Sequence, residues 1–259
     1  MSSLGQDTSR PPAGPAPSVE RIPRLAHYVW LGGRPLPDDA KRLIEGWHRV
    51  LPDFEIKEWN ERTFDVQQHP WMQRTHAEGR FSFASDYVRF KVLEEQGGIY
   101  LDTDVELRKS LVPFLRDRCF FSFEFDSFLS TCLIGAEPGH PLIRAILGKF
   151  DHMDGCQVSN IYWTRHMIDT YPALRLNNRE QYIGDGIRIL PKEYFIVPGY
   201  GATANYARHH AKGTWKPGGG SSRRPHWLRR VLGEVLFFKL VNLRMNWNSE
   251  FRRLERGRR

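Results

Sequence analysis

Cysteine is scarce in this chain of 259 residues. There are three, Cys119, Cys132 and Cys156, and no two are spaced as a CxxC metal pair. A disulfide-stapled scaffold does not fit that count, and a reducing compartment does. Long apolar runs are also lacking: nothing approaches the roughly 18 residues that cross a membrane. The opening MSSLGQDTSRPPAGPAPS has no charged-then-apolar secretion pattern, so the expected location is cytoplasmic. The body of the chain carries no net charge. From Arg223 onward, ten arginines and one lysine face three glutamates, which accounts for the whole formal charge of +8. That removes the compositional case for a nucleic-acid partner and makes basicity a property of the tail.

What the body does contain is alternation of strand and helix patterns. Residues 1–20, rich in Pro, Ser, Gly and Ala, predict a disordered leader. "LAHYVWLGG" (25–33) predicts a buried strand running into a loop. "PDDAKRLIEGWHRVLP" sets Leu43, Trp47 and Val50 at helical spacing, with Asp38 or Asp39 as N-cap and Pro52 past the end. "FEIKEWN" alternates as a second strand. "SFASDYVRFKVLEEQGG" predicts the clearest helix, from Ser82 as N-cap to a left-handed stop at Gly97 and Gly98. Strand 99–101 follows directly. "CFFSFEF", "STCLIGA", "IRILP" and "YFIVP" predict more strands, and "HPLIRAILGKF" another helix. The order points to an α/β fold with one main domain and a mostly parallel sheet. Functional groups of such sheets gather at the carboxyl ends of strands, where Trp30, Asp102 and Asp104 fall. The expected layout is leader 1–20, main domain 21–216, linker 217–225 and basic helical tail 226–259.

Asp102-Thr103-Asp104 places two carboxylates on an exiting strand, a pattern suited to a hard divalent cation shared with phosphate oxygens. Alone, such a pair is as readily a solvated turn. Upstream, Asp86 and Arg89 stand three apart on the predicted helix and share a face, either as a surface ion pair or as a carboxylate and guanidinium presented to one ligand.

With these residues in view, "SDYVRFKVLEEQGGIYLDTDVE" (85–106) resembles the signature of glycosyltransferases with a D-x-D sugar-binding motif. These are family 32-like enzymes that include initiating mannosyltransferases, α-1,4-galactosyltransferases and capsule or lipopolysaccharide transferases. "HYVWLGG" is similar to the family's opening strand, "LIGAEPGHPLI" to its middle block and "NYARHHAKGTW" to its closing block, in the same order. The resemblance implies a GT-A, Rossmann-like fold that binds a nucleotide-sugar with a divalent metal, Mn²⁺ or Mg²⁺. Trp30 would stack on the donor base, and Asp86, Arg89 and Tyr100 would lie near the sugar and phosphates. Asp102 and Asp104 would hold metal and diphosphate. By similarity to a second retaining family's H-x-x-G-x-x-K-P motif, His210 would be the third metal ligand and Lys216 a phosphate contact. The chain departs from the pattern at Thr131-Cys132, where Asn-Ala is usual, and at "SNIYW" (159–163), which replaces a T-G-P segment.

The implied activity is transfer of a hexose, with retained configuration, to a glycan or lipid-linked acceptor in surface polysaccharide or glycolipid synthesis. UDP-hexose is the favoured donor and GDP-mannose the other. Asp86 and Glu137 are the candidate bases, beside front-face attack assisted by the leaving phosphate. A protein-glycosylating transferase and an inactive binding module on the same scaffold are the rival readings. The tail is either a helix packed on the domain or an anchor on an anionic membrane surface, which would place the protein on the inner membrane face.

Overall fold

The central strands are apolar on both sides and buried nearly throughout, so the sheet has two dry faces and helices cover both. The computed structural model describes residues 19–197, 204–211, 226–247 and 249–256. The expected leader, except residues 19 and 20, and the expected linker lie outside them. In chain order come β1 (Leu25–Val29), α1 (Asp38–Val50), β2 (Glu55–Trp59), α2 (Pro70–Ala77), α3 (Phe81–Gln96), β3 (Gly98–Leu101) and β4 (Val105–Leu107). Then follow β5 (Cys119–Phe125), β6 (Phe128–Leu129), β7 (Leu133–Ala136), α4 (Pro141–Leu147) and α5 (Ser159–Thr170). The chain closes with β8 (Gln181–Ile183), β9 (Ile187–Leu190), β10 (Ala207–His209), α6 (His226–Trp247) and α7 (Glu250–Arg256).

The main sheet has the order β2-β1-β3-β7-β5-β9-β8, with β6 paired to β5. Strands β2, β1, β3, β5 and β9 run one way, and β6, β7 and β8 run against them. The fold is therefore α/β with a mostly parallel sheet. On β3 the side chains split by period two. Ile99 and Leu101 join Ala26, Tyr28 and Phe120 against Ile44 and Trp47 of α1. Tyr100 lies on the other face with Val29, Phe121 and Ile134, under α3, α4 and α5. Trp47 is fully buried, and its indole donates to the Val105 carbonyl at 2.8 Å, tying α1 to β4.

The α3–β3 turn fixes where the two aspartates emerge. Gly97 ends the helix with φ +64°, and Gly98 follows at +95°. A Cβ on Gly98 would lie 2.7 Å from the Leu25 carbonyl oxygen, so the close approach of β3 to β1 requires glycine there.

Local signals misplace some boundaries. Asp38 and Asp39 occupy the first turn of α1 instead of capping it, which still suits the helix dipole. Helix α3 begins at Phe81, so Ser82 lies inside it. "YFIVP" is no strand. The Ile196 and Val197 amides both turn back to the Lys192 carbonyl, burying Phe195, Ile196 and Val197 from a loop. Helix α2, unsignalled by periodicity, starts with Pro70 at its first position and the His69 ring accepting from the Trp71 amide.

The tail docks on the β5–β6 turn. Asn242 accepts from the Asp126 amide at 3.0 Å, and Asn246 accepts from the Ser127 amide and hydroxyl at 3.1 and 2.8 Å. Phe251 is buried beside Phe128, with ring centroids 5.2 Å apart. Gly233, at φ +71°, kinks α6. Leu236, Leu240, Leu243 and Trp247 remain exposed along it. No helix among the described residues is long and apolar enough to cross a membrane.

Candidate active site

Strands β1, β3 and β5 are co-directional, so their carboxyl ends share one edge of the sheet. Trp30 follows β1, Asp102 follows β3, and Glu124 lies near the end of β5. The reversed β7 begins at this edge, which brings Thr131 and Cys132 there as well. A two-stranded ribbon completes the surround: β10 pairs antiparallel with β4, setting His209 opposite Val105. The Asp102 amide bonds to the Cys132 carbonyl at 2.8 Å, and the His210 amide to the Asp104 carbonyl at 3.0 Å. The D-x-D turn is thus held from both sides by backbone.

Arg89 is the buried cation beneath it. Its guanidinium lies 3.2 Å from Asp86 and 3.0 Å from Asp102 Oδ1, and donates to the Thr131 carbonyl at 3.0 Å. It also packs over the Tyr100 ring at 4.4 Å. Burial opposes its charge, but Tyr100, Asp102 and Asp86 outweigh that and hold its pKa well above the usual arginine value. Tyr100 donates to the same Asp102 Oδ1 at 2.9 Å. One oxygen of Asp102 is therefore committed to the protein, and Oδ2 is turned toward His209 Nε2, 3.9 Å away.

Asp86 is almost completely buried, and desolvation raises its pKa to about 7 against the pull of Arg89, with the Asp102 charge pushing the same way as burial. A carboxyl poised there can hold or release a proton near neutrality. Its other neighbour is Ser159 at the start of α5, whose hydroxyl also lies 2.9 Å from Thr131 Oγ1. Asn160 accepts from Thr131 at 2.6 Å. The two departures from the family pattern, Thr131-Cys132 and the segment from Ser159, thus meet beside Asp86.

His209 closes the group. Its Nε2 lies 3.2 Å from Asp104 Oδ1, and the ligating atoms of Asp102, Asp104 and His209 all fall within 4.8 Å of one another. Two carboxylates and one imidazole form a donor set that fits a divalent cation of the Mn²⁺ or Mg²⁺ class. His210, the histidine expected to complete this set, instead meets Glu106 at 3.2 Å. Neighbouring residues of a strand point to opposite faces, so only one of the pair can look into the group. The signal was present in the sequence, but assigning it required the register of β10 against β4.

Glu124 is the other residue the sequence reading passes over. It is the one charged residue of β5, with one oxygen accepting from Ser130 Oγ at 2.7 Å and the other 3.9 Å from His209 Nδ1. Glu137, a candidate base on sequence, is excluded by position. It follows β7 at the far edge of the sheet and pairs with Arg118 and Arg21. Trp30 is half-buried and its indole donates to the Arg34 carbonyl at 2.6 Å. Lys216 lies outside the described residues.

Residues 37–121 match the glycosyltransferase sugar-binding region containing DXD motif, a stretch that includes Asp86, Arg89, Tyr100, Asp102 and Asp104. Inositol phosphoceramide mannosyltransferase 3 of Schizosaccharomyces pombe is 26% identical over 130 residues, covering 49% of this chain and 36% of that protein. The chain thus spans about a third of that relative's length. Inositol phosphoceramide mannosyltransferase 1 of the same yeast is 24% identical over 263 residues, covering 93% of this chain and 75% of the relative. Among solved structures, the PaToxG glycosyltransferase superposes with a TM-score of 0.51 at 17% identity, covering 60% of this chain and 71% of its own, a likeness of fold. The chain thus matches the DXD-containing sugar-binding region over about a third of its length, is similar to curated glycosyltransferases and shares a GT-A-like fold.

Proposed function

We propose that this chain is a metal-dependent, retaining glycosyltransferase that moves a hexose from a nucleotide-sugar to a glycan or lipid-linked acceptor. The observation that carries this reading is the group of Asp102, Asp104 and His209 at the sheet edge, backed by the buried Arg89. Asp102, Asp104 and His209 would hold the cation, replacing His210 in the expected set. When bound, a divalent cation supplies positive charge against the charge that grows on the departing diphosphate. Burial raises the pKa of Asp102 and Arg89 opposes that rise, while its bond to Oδ1 orients the carboxylate with Oδ2 on the side of His209. Asp86 would accept hydrogen bonds from donor-sugar hydroxyls. Trp30 offers a ring for the base and Lys216 a charge for the phosphates. No side chain of the group is set apart as a covalent nucleophile, which favours front-face attack with the leaving phosphate taking the acceptor proton.

The yeast relatives are named as mannosyltransferases of inositol phosphoceramide. Those names favour GDP-mannose over UDP-hexose and a lipid-linked acceptor over free glycan. The tail is consistent with such an acceptor, because exposed Leu236, Leu240, Leu243 and Trp247 accompany its excess of arginine. That combination suits an anionic membrane surface.

The test is donor hydrolysis and transfer across a panel of UDP- and GDP-sugars with Mn²⁺ or EDTA, in wild type and Asp104→Ala. Metal-dependent release from one donor, lost in the variant, is the expected result. Release that persists in EDTA, or at wild-type rate in Asp104→Ala, would overturn the metal reading.

A further inference from the structure

The imidazole of His209 has two sides, and only one faces the D-x-D turn. Nδ1 points into the protein and is buried, and its polar neighbours there are the Cys132 thiol and a Glu124 oxygen 3.9 Å away. Around it stand Glu124 and Cys132, and the carboxylate, thiol and imidazole donor atoms all lie within 4.8 Å of one another. Cys132 is buried and in no disulfide. Ser130 Oγ lies 2.7 Å from one Glu124 oxygen and 3.4 Å from Cys132 Sγ, which fixes the carboxylate and leaves its second oxygen toward Nδ1. The three donors arise from β5, from the residue before β7 and from β10, so the set rests on sheet backbone.

We propose that Glu124, Cys132 and His209 form a second cation site, for a thiophilic divalent ion of the zinc class, on the inner side of the D-x-D group. Sulfur, nitrogen and one carboxylate oxygen are zinc donors, with a water available for the fourth position. The outer set of two carboxylates and one imidazole lacks sulfur and suits harder ions. On binding, the Cys132 thiol gives up its proton to solvent and the thiolate becomes the ligand. A neutral imidazole has one lone pair, so His209 serves one site at a time. Resting on the proposed function, this makes the inner ion an antagonist of the outer one: zinc captured at Nδ1 removes His209 from the group that would hold the diphosphate's cation.

The probe is Co²⁺ added to the full chain after chelator treatment. One equivalent should give the near-ultraviolet thiolate-to-cobalt charge-transfer band and intense tetrahedral visible bands, both displaced by Zn²⁺. The thiolate band should vanish in Cys132→Ala and in Cys132→Ser, and should need at least tenfold more Co²⁺ in Glu124→Gln. It should persist in Cys156→Ala and in Asp104→Ala, the latter removing an outer ligand only. Absence of the band, or its survival in both Cys132 variants, would overturn the site. Circular dichroism and thermal melts of each variant separate loss of the site from loss of the fold. In competition, zinc should raise the Mn²⁺ concentration for half-saturation, read by paramagnetic resonance, in wild type but not in Cys132→Ala. An equal rise in both would overturn the antagonism. Band formation without sugar transfer from any donor would count against the functional reading alone, and transfer without the band against the inner site alone.

Discussion

Replacing Asp86 by Asn should change how stability depends on pH. Asp86 is 5% exposed, lies 3.2 Å from Arg89, and has a pKa raised from the usual 3.8 to about 7. Between those values the folded state binds a proton that the unfolded state releases, so stability falls as pH rises. One pKa unit corresponds to about 1.4 kcal/mol, so ionising Asp86 costs the fold about 4 kcal/mol once pH exceeds the folded value. From pH 5 to pH 8 the loss is about 2.6 kcal/mol by the same linkage. Asn keeps the shape and cannot ionise. Its offset from wild type therefore includes a fixed difference in hydrogen bonding plus this pH-dependent part. Urea unfolding followed by tryptophan fluorescence, in EDTA at pH 5 and pH 8, isolates the second part. Asp86→Asn should gain about 2–3 kcal/mol on wild type between the two conditions. A gain below about 1 kcal/mol, or a change of opposite sign, would refute the claim that burial outweighs Arg89 at this carboxyl.

Three further outcomes follow from particular contacts. His27 is fully buried, with Nε2 on the Gly97 carbonyl and Nδ1 accepting from the Trp59 indole, and burial lowers its pKa from 6.5 to about 4. Its contribution should be complete above pH 6.5 and lost as pH falls toward 4, by about 3 kcal/mol; side-chain nitrogen NMR should show the Nε2-protonated tautomer down to that pH. Gly98→Ala should destabilise by about 2–4 kcal/mol, since it adds a clash with the Leu25 carbonyl to a positive φ; a thermal melt within two degrees of wild type would contradict the account of the β1–β3 approach. Asn246→Ala leaves the Ser127 amide and hydroxyl without their acceptor, at a cost of about 1–3 kcal/mol. Faster amide exchange should then appear in α6 ahead of β3, and uniform exchange would argue that the tail is not docked through this residue.

Much of the fold is legible in local pattern. The apolar strand of β3, the Gly-Gly stop before it and the D-x-D after it predict each other, because a strand exit, a left-handed turn and a charged pair are all properties of neighbouring residues. The same locality makes Asp86, Arg89, Tyr100, Asp102 and Asp104 nameable as one site, since a single helix–turn–strand carries them all. The "YFIVP" segment shows the limit: its residues favour strand, but their amides return to Lys192 and burial is achieved from a loop.

The order of chemistry-bearing residues along the chain, and hence the resemblance to DXD-containing glycosyltransferases, was determined by sequence alone. Which histidine faces the aspartates was not, since His209 and His210 differ only in strand parity, and parity acquires meaning through the pairing of β10 with β4 across about a hundred residues. Glu124 and Cys132 likewise become neighbours of His209 only because β5 and β7 run antiparallel to the same edge. Glu137 is carried to the opposite edge by the reversal of β7. Proximity between distant segments is set by the register and direction of strands, and those are fixed by burying both faces of one sheet at once, a condition that no short stretch of sequence contains.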